Sequence, residues 1–464
     1  FPTSDRTEVL VNVFLAPGSD ISRTEATTRR LEAALSGLPE VRSLSAYIGA
    51  GAPRFFISAN PEPPDPAFAR LIAIGRDVHA RERIIAELER RIAEGEFPEA
   101  RIRVSRLLYG PPVEWPVSFR VVGTDPQVMR DIAYQVRTIM ASHRNVRDAH
   151  LEWDSRVPVL HIGASAETLR LSGLTPRDLA NQLQFQLDGV PVTEVRQDIR
   201  GVTVIARGLP DPQQPFDSLQ VRTQEGHAVS LQQLGPVTVD YEEPLIRRYN
   251  RERILTVQSE VEGAQPPDVT KALWAQLATL RTQLPEGYRL ETGGSVEQSS
   301  KADASIQKLQ PLMVALMLVV IMIQMRSFTG TFVVLATAPL GLIGAVIALL
   351  AFQKPFGFVA LLGLIGLAGI LMRNTMILTQ QVQDSLNHGM NPRDAVIEAA
   401  VQRARPVILT ALAAALAFIP LTLDGFWGPM ACVLIGGVLV GTVITLLFVP
   451  ALYALLFKLP KATN

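Results

Sequence analysis

Two polar residues, Arg373 and Asn374, interrupt an apolar stretch that covers residues 356–382. Seventeen uncharged residues precede this pair, and the apolar character resumes at residues 375–378. A transmembrane helix needs about 20 mostly apolar residues, and an ionised side chain inside one is costly. From the spacing alone two interpretations stand equal. Either Arg373 has a partner and a function within the membrane, or it lies near a membrane face and extends its guanidinium into the lipid headgroups.

The elements that position this pair are expected to be membrane helices. Five stretches are long and apolar enough to span a bilayer, namely residues 309–325, 331–352, 356–382, 406–423 and 426–457. None of the five contains an acidic residue. That absence matters, because a machine driven by protons needs a carboxylate near the middle of the membrane.

The basic residues of the short connections predict the orientation of these helices. The positive-inside rule places in the cytoplasm the loops that carry Arg326, Arg393, Arg403, Arg405, Lys458 and Lys461. The opposite loops hold Lys354 and Asp424, and residues 1–308 are expected on that side. Because the chain begins at Phe1 without an initiator Met or a signal-like segment, we expect it to be part of a longer protein.

Composition excludes several classes of protein. Forty-four basic and 44 acidic residues give a formal net charge of zero, so no nucleic-acid partner is expected. The only cysteine is Cys432, which excludes a disulfide framework and a cysteine metal site. The six histidines lack ligand spacing, and no hydrolase, zinc-peptidase, nucleotide-binding or dinucleotide-binding signature is present. We therefore expect neither an enzyme nor a bound metal or cofactor.

Small residues recur in the apolar stretches at spacings typical of closely packed helices. Gly341 precedes Ala345 by four positions, glycines occupy positions 363, 366 and 369, and Gly437 precedes Gly441. Together they predict a tight bundle. Between the third and fourth spans, residues 384–405 predict an amphipathic cytoplasmic helix that opens at Asn391 and Pro392.

Residues 1–308 alternate between strand and helix patterns. Strands are predicted at residues 7–15, 41–48, 54–59 and 101–107. A capping box at Ser22 and Glu25 marks the start of the first helix, and the second lies near residues 80–94. Two such βαβ units in tandem predict a ferredoxin-like, split-βαβ sandwich.

A second sandwich is predicted from residue 117 onward, interrupted by an insertion of roughly eighty residues. Its first half comprises strands at 117–122 and 146–153 and a helix capped by Asp125 and Pro126. Its second half comprises strands at 254–261 and 288–292 and a helix at 267–283. The insertion contains a strand at 157–162, a helix at 176–187 capped by Thr175, and the hairpin-like segment VPVTEVRQDIRGVTVIA.

Several segments together resemble one family, the resistance-nodulation-division (RND) transporters, and within it the drug and amphiphile efflux pumps of Gram-negative bacteria. The segment LDGVPVTEVRQDIRGVTVIARG is similar to the docking-subdomain hairpin of these pumps, and RSFTGTFVVLATAPLGLIGAVIALL to their loop and helix with the PLxxIGA signature. GLAGILMRN resembles the tenth helix, RPVILTALAAALAFIPL the eleventh, and FVPALYALLF the end of the twelfth. In this order the segments match the second of the family's two halves, without its first helix.

The resemblance implies an α+β membrane protein with ferredoxin-like periplasmic subdomains and a transmembrane helix bundle. The implied parts are a first pore subdomain at residues 1–113, a second at 114–157 and 244–294, a docking subdomain at 158–243, and at 295–464 a bundle of five helices with an amphipathic helix near 384–405.

In the family, the proton relay pairs two aspartates of the fourth helix with a basic residue of the tenth and a hydroxyl of the eleventh. Matching the motifs places Arg373, followed by Asn374, in the basic position and Thr410 in the hydroxyl position, with Arg403 as a weaker candidate. Lysine is usual where this chain has Arg373, and arginine keeps its charge at any accessible pH. Arg373 is therefore expected to be a fixed counter-cation for an aspartate of the other half. Thr410 has a second interpretation, a hydroxyl bonded to the carbonyl four residues earlier in its own helix.

The implied function is that of an inner-membrane permease in a proton-driven, tripartite multidrug efflux pump that exports amphiphilic small molecules. The implied partners are two further copies in a homotrimer, a periplasmic adaptor protein, an outer-membrane channel and the lipid bilayer. A heavy-metal or lipid-type transporter of the same superfamily is an alternative. The metal version is disfavoured because metal pumps tend to carry an acidic residue where this chain has Arg-Asn. A membrane-anchored periplasmic binding or sensor protein without transport is a further alternative.

The linker at residues 105–115 would lie close to the substrate cleft of the family. Its candidates for substrate contact are Arg106, Tyr109, Glu114 and Trp115. Packing at the ends of strands is the favoured role for each of them, so the substrate-binding residues stay undetermined.

Overall fold

A computed structural model describes residues 4–110, 113–208 and 216–456 of the chain. Contacts divide it into two compact units, of which the smaller is Trp153–Arg247 and the larger contains the remainder. The basic residues Lys458 and Lys461, used above to predict orientation, lie outside the described residues, as does Phe457 at the end of the fifth predicted span.

The first sandwich of the larger unit consists of one antiparallel sheet and two helices. Its elements are β1 (Glu8–Leu15), α1 (Ile21–Ser36), β2 (Val41–Ile48), β3 (Phe68–Gly75), α2 (Val78–Ala93) and β4 (Ala100–Arg106). The strand order is β2-β3-β1-β4, so each βαβ unit straddles a strand of the other. Alternate residues of the central strand, such as Val11 and Val13, pack against Leu31 and Ile84 of the helices. The predicted split-βαβ topology is confirmed.

Two local predictions for this sandwich are wrong. Residues 54–59 are a loop, and the strand that pairs with β1 is β3, with Phe14 opposite Phe68. The apolar side chains of that loop, including Phe56 and Ala59, instead pack on the sheet face remote from the helices. The first helix is capped by Asp20, which accepts from the Ser22 amide at 2.8 Å, and not by a box beginning at Ser22.

The next elements open a second sandwich and are β5 (Val117–Val122), α3 (Pro126–Ala141) and β6 (Val146–Leu151). The predicted cap of α3 is confirmed, because the Asp125 carboxylate accepts from the amides of Gln127 and Val128 while Pro126 occupies the first turn. A proline fits there because the first amides of a helix have no intrahelical acceptor.

The smaller unit contains the inserted elements. They are β7 (Val157–Ile162), α4 (Ala166–Leu171), α5 (Pro176–Leu187), β8 (Val190–Gln197), β9 (Arg200–Ala206), β10 (Gln220–Arg222), β11 (Ala228–Ser230), α6 (Leu231–Leu234) and β12 (Val237–Glu242). The predicted hairpin is formed by β8 and β9, and Thr175 caps α5 through a reciprocal capping box with Asp178. A small core that includes Leu179 and Val221 holds this unit together.

The second sandwich is completed by β13 (Arg247–Tyr249), β14 (Glu252–Val261), α7 (Pro266–Gln276), α8 (Ala278–Thr282) and β15 (Arg289–Thr292). β5 lies between β14 and β15, and β6 pairs with the other side of β14. This order repeats the topology of the first sandwich, as the sequence predicted. The helix predicted at residues 267–283 is divided at Leu277 into α7 and α8.

Six helices form the membrane part: α9 (Gly294–Met325), α10 (Phe328–Thr337), α11 (Leu340–Ala351), α12 (Phe358–Asn387), α13 (Pro392–Phe418) and α14 (Gly428–Leu456). α10 and α11 together make one span, broken at Ala338 and Pro339, so the described residues contain five candidate membrane spans, as predicted. The break is expected, since proline lacks the amide proton that continues the helix.

The helix predicted at residues 384–405 differs from the structure in its extent. α12 continues to Asn387, and α13 starts at Pro392 and runs through Arg405 without a break. The amphipathic pattern therefore arises from the polar end of one long helix and the polar start of the next. Asn391 does cap the second helix, accepting from the Arg393 amide at 3.3 Å.

Close packing is confirmed at some of the predicted glycines. A β-carbon added at Gly437 would lie 2.1 Å from Leu367 Cδ2, and one at Gly441 would lie 3.1 Å from Leu371 Cδ1. An equally close approach involves a pair that the spacing did not single out, since a β-carbon at Gly344 would lie 2.1 Å from the Gly436 carbonyl oxygen. By contrast, additions at Gly366 and Gly369 of α12 would meet no described atom within 4 Å.

Candidate coupling site of the membrane helices

One face of α12 is left uncovered by the described residues. Five exposed residues follow one another at helical spacing along this face, and we call them the open stripe: Leu362, Gly366, Gly369, Arg373 and Ile377. The opposite face is buried against α10, α11 and α14, where Leu367, Leu371 and Leu378 have exposed fractions of 3% or less. α12 thus has one face committed to this chain and one available to another element.

Arg373 is the charged member of the open stripe. Its guanidinium makes no hydrogen bond and no ion pair with any residue in the described part of the chain, although apolar residues surround it along α12. Asn374 is buried, and its side chain likewise makes no hydrogen bond to another described residue. Arginine cannot be deprotonated in a protein, so Arg373 can act as a fixed positive charge but not as a proton carrier.

The structure does not join Thr410 to Arg373 by a hydrogen bond. Thr410 is exposed on α13, and its hydroxyl donates to the Val407 carbonyl of the same helix at 2.9 Å. The acceptor lies three residues earlier in the chain. The contact is therefore close to the second interpretation given above, in which the hydroxyl bonds to a carbonyl of its own helix. α12 and α13 do pack together, with Leu371 and Ala411 in one apolar cluster.

Arg403 connects α13 to α12. Its guanidinium donates twice to the side-chain oxygen of Gln381, at 3.1 Å from Nε and 2.7 Å from Nη2. Arg405, two residues further, is exposed and makes no such contact within the described residues. Arg403 therefore connects α12 and α13 by hydrogen bonds. Neither of these two bonds gives Arg403 a role in proton transfer.

A buried hydroxyl pair behind Arg373 was missed by the sequence analysis. Thr375 on α12 donates to Thr337 at the end of α10 across 3.0 Å, and both side chains are fully buried. Among the described residues, the Thr379 hydroxyl bonds only within α12, to the Thr375 carbonyl at 2.8 Å. The signal available in the sequence was the threonine at position 375, directly after the polar pair, but its partner lies 38 residues away.

A charged junction between the second sandwich and α9 was missed as well. Glu297, in the first turn of α9, accepts from Arg120 of β5 at 2.6 Å and from the Tyr249 hydroxyl at 2.7 Å. Lys301 lies 2.7 Å from the same carboxylate. The Arg120 guanidinium also stacks 4.2 Å above the Tyr249 ring. This junction ties the sheet to the start of the first membrane helix.

A second junction joins the first sandwich to the connection between α13 and α14. The Tyr109 ring lies 5.2 Å from the Phe426 ring, which in turn lies 4.7 Å from Trp427. The Asp5 carboxylate accepts from the Gly425 amide at 3.3 Å. The first sandwich therefore sits at the end of the bundle that carries Asp424, the side on which the loop charges had placed residues 1–308.

The other linker candidates have packing contacts. Arg106 pairs with Glu82 of α2, with Nε 3.0 Å from the carboxylate. Trp115 is buried, with the Arg103 guanidinium 4.2 Å above its ring and His150 at its edge. These contacts agree with the strand-end packing favoured above. Within residues 4–110, 113–208 and 216–456, no group of three or more His, Cys, Asp or Glu side chains could hold a metal ion.

Curated relatives match almost the whole chain. The nickel and cobalt resistance protein CnrA of Cupriavidus metallidurans is 26% identical over 481 residues, which cover 98% of this chain and 44% of the relative. The cobalt-zinc-cadmium resistance protein CzcA of the same species is 23% identical, with 98% and 44% covered. The multidrug resistance protein MdtC of Pantoea ananatis is 28% identical over 206 residues, which cover 43% of this chain and 20% of the relative. The chain thus spans less than half the length of these relatives.

A solved structure has the same fold. The crystal structure of a heavy metal efflux pump superposes with a TM-score of 0.76 at 22% identity, covering 99% of this chain and 48% of that one. Two split-βαβ sandwiches joined to five membrane spans, together with these relatives, define the class as that of the RND transporters. The chain belongs to the AcrB/AcrD/AcrF family, whose sequence profile matches residues 1–457.

Proposed function

We propose that this chain supplies the second half of a proton-driven efflux permease of the bacterial inner membrane. The observation that carries the proposal is the open stripe. It presents an arginine that has no partner among the described residues, beside two glycines where an added β-carbon would meet no described atom within 4 Å. A charge in that position needs a counter-charge, because an unpaired ion inside a membrane is costly.

The counter-charge would come from a helix of the remaining half of the transporter. Gly366 and Gly369 would let the backbone of that helix approach closely, as small residues do in lipid. An aspartate on it, as the family resemblance implies, would then pair with Arg373 when ionised. Protonation of the aspartate would remove the attraction, and Arg373 would turn towards Asn374 and Thr410. Two arrangements of the bundle would thus follow the protonation of a single carboxylate.

The charged junction at Glu297 is the proposed route from the membrane to the sandwiches. A displacement of α9 would pull on β5 through Arg120, and the two sandwiches would open or close a substrate cleft. In this proposal residues 1–113 are the first pore subdomain, 114–157 with 244–294 the second, and 158–243 the docking subdomain. The working assembly would be a homotrimer with a periplasmic adaptor and an outer-membrane channel.

The proposed cargo is an amphiphilic small molecule. The resemblance to drug pumps supports it, as do the aromatic side chains of Tyr109, Phe426 and Trp427 where the first sandwich meets the bundle. A divalent transition metal is the second candidate, and what favours it is specific: CnrA, CzcA and the superposed structure are all named for metal resistance or metal efflux. Measuring export of a cationic dye and of nickel, cobalt and zinc by the same full-length transporter decides between them.

The experiment that tests the coupling is transport by the full-length protein carrying Arg373→Ala, in vesicles with an imposed pH gradient. Loss of a charged partner from a buried pair costs several kcal/mol, so we expect transport to fall by about a hundredfold or more. Arg405→Ala, which removes an exposed arginine of α13, is the matched control and should transport normally. Wild-type transport by Arg373→Ala, with assembly verified by size-exclusion chromatography, would refute the coupling role and restore the headgroup interpretation.

A further inference from the structure

The hydroxyl pair behind Arg373 belongs to a layer that spans three helices. Leu367 and Leu371 of α12 contact Gly437 and Gly441 of α14, so the two helices run side by side in the same direction. One further turn along both places Thr375 level with Thr445. We call Thr337, Thr375 and Thr445 the threonine layer; all three are buried, with exposed fractions of 4% or less.

The hydrogen bonds of the threonine layer are incomplete. Thr337 uses its proton on the Val334 carbonyl at 2.7 Å, so its oxygen is the acceptor for Thr375. The Thr375 oxygen also lies 3.1 Å from the Leu371 carbonyl, and its single proton cannot serve both acceptors fully. The Thr445 hydroxyl is buried without a hydrogen-bond partner in the described part of the chain. A hydroxyl left in that condition carries a desolvation penalty that a different arrangement of the layer would remove.

The threonine layer and Arg373 lie on opposite sides of one helix. Residues 373 and 375 are about 200° apart at 3.6 residues per turn. A rotation of α12 that carries Thr375 from α10 towards α14 must therefore carry Arg373 the opposite way across the open stripe. The carboxylates of the described membrane helices lie towards the helix ends, so none of them can pair with Arg373 in place of a carboxylate from the other half. They are Glu297 and Asp303 on α9, Asp384 on α12, and Asp394 and Glu398 on α13.

We propose that Thr375 is a positioning residue for Arg373, and that its hydroxyl exchanges between Thr337 on α10 and Thr445 on α14 as α12 rotates. Each of the two hydrogen bonds fixes one orientation of the helix and so one position of the guanidinium. The inference rests on the proposed coupling role of Arg373, and it adds a contribution from Thr375 on the opposite side of α12. In this structure the layer holds the Thr337 arrangement.

The first test measures the pH profile of transport by the full-length protein in vesicles. Thr375→Val keeps the shape of the side chain but removes the hydroxyl, and interhelical hydrogen bonds in membranes are modest. We therefore expect its maximal rate to fall by about threefold to tenfold, and its pH profile to move by about half a unit to one unit. Thr375→Ser should restore both. Thr379→Val, which removes a hydroxyl that donates to the Thr375 carbonyl of its own helix, should change neither.

The inference would be overturned if the pH profile of transport by Thr375→Val coincided with that of the wild type. It would also be overturned if Thr375→Val and Thr379→Val lost the same share of the maximal rate without a shift of the pH profile. Failure of the inference is distinguishable from failure of the proposed function. If Arg373→Ala abolishes transport while Thr375→Val is silent, only the positioning role is lost. If Arg373→Ala transports normally, the coupling role itself is lost.

A second test does not depend on transport or on a stable valine variant. Cys432 is the only cysteine of these 464 residues, so Cys432→Ala, with any cysteine of the remaining half also replaced, gives a background for paired cysteines. One pair is Thr337→Cys with Thr375→Cys, and the other is Thr375→Cys with Thr445→Cys. With copper phenanthroline as oxidant, we expect both pairs to cross-link and the ratio of their yields to change with the imposed pH gradient. A second pair that never cross-links, or yields indifferent to the gradient, would contradict the exchange.

Discussion

Arg120 of β5 donates to Glu297 of α9 across 2.6 Å, and this ion pair joins the second sandwich directly to the first membrane helix of the chain. Both side chains are mostly buried, with exposed fractions of 13% and 14%. The backbone reinforces the connection, because the Ser295 amide donates to the Pro116 carbonyl at 3.0 Å. The sheet and the start of α9 are therefore connected both through side chains and through the backbone.

Glu297→Gln should weaken that connection without removing the side chain. Hydrogen bonds to charged groups are worth about 1.5–3 kcal/mol, and the substitution removes the nearer of the two carboxylates beside Arg120, leaving Glu291 at 3.6 Å. We expect full-length protein to assemble and to transport at least about tenfold more slowly. Glu286→Gln, which alters an exposed carboxylate near the same sheet, is the control. Equal transport rates in the two variants would show that the junction is not needed for coupling.

Gly344→Ala should destabilise the bundle, because the new methyl group would lie 2.1 Å from the Gly436 carbonyl oxygen where α11 and α14 meet. Overpacking of a tight interface typically costs about 1–3 kcal/mol, and here backbone must move. We expect a lower thermal unfolding temperature for the purified chain in detergent. The same substitution at Gly366 meets no described atom and should leave that temperature unchanged. If both variants unfold like the wild type, the close approach of α11 and α14 is wrong.

The carboxylate of Glu82 should make the first sandwich sensitive to acid. Hydrogen bonds from Arg106 and Arg81 lower the pKa of Glu82 from its usual 4.5 to about 2. Since the folded-state value is the lower one, the stabilisation is present above pH 4.5 and disappears as the pH falls towards 2. The carboxylate is 41% exposed, so solvent screening keeps the effect small. Following unfolding by circular dichroism between those pH values, we expect Glu82→Gln to flatten the decline, and a decline as steep as that of the wild type would contradict the assignment.

Sequence periodicity was sufficient for most of the fold. The strands of both sandwiches alternate clearly, and the duplicated βαβ pattern fixed their topology even across the insertion of the smaller unit. Periodicity failed at residues 54–59, because Phe56 and Ala59 bury their side chains from a loop. Apolar residues that are buried in a loop give the same sequence pattern as those of a strand. It also missed the bounds of the helix predicted at residues 384–405, because the polar end of α12 and the polar start of α13 together form one amphipathic pattern.

The candidate site was only partly predictable. Arg373 stands out in the sequence, since charge is rare in a membrane helix. Its exposure on an open stripe depends on which face of α12 packs against α14, and periodicity alone did not decide that. Arg120 and Glu297 are 177 residues apart, so nothing local could connect them. The hydrogen bond between Thr375 and Thr337 could not be predicted for the same reason, because the helices that carry the two residues meet only after folding.

The identity of the cation at position 373 should determine how transport depends on pH. Arginine stays charged throughout, whereas a lysine enclosed among apolar residues can lose its proton. Arg373→Lys should therefore transport normally at acidic and neutral pH, where the lysine is protonated and pairs with the carboxylate. It should lose activity as the medium becomes alkaline, while the wild type retains it. Initial rates measured from about pH 6 to about pH 9 at a constant gradient test this, with Arg405→Lys as the control for a change of the same type on α13. Arg373→Lys would follow the wild type over the whole range if its pairing kept the lysine charged or if water reached the site. In either case arginine at this position would confer no tolerance of alkaline conditions.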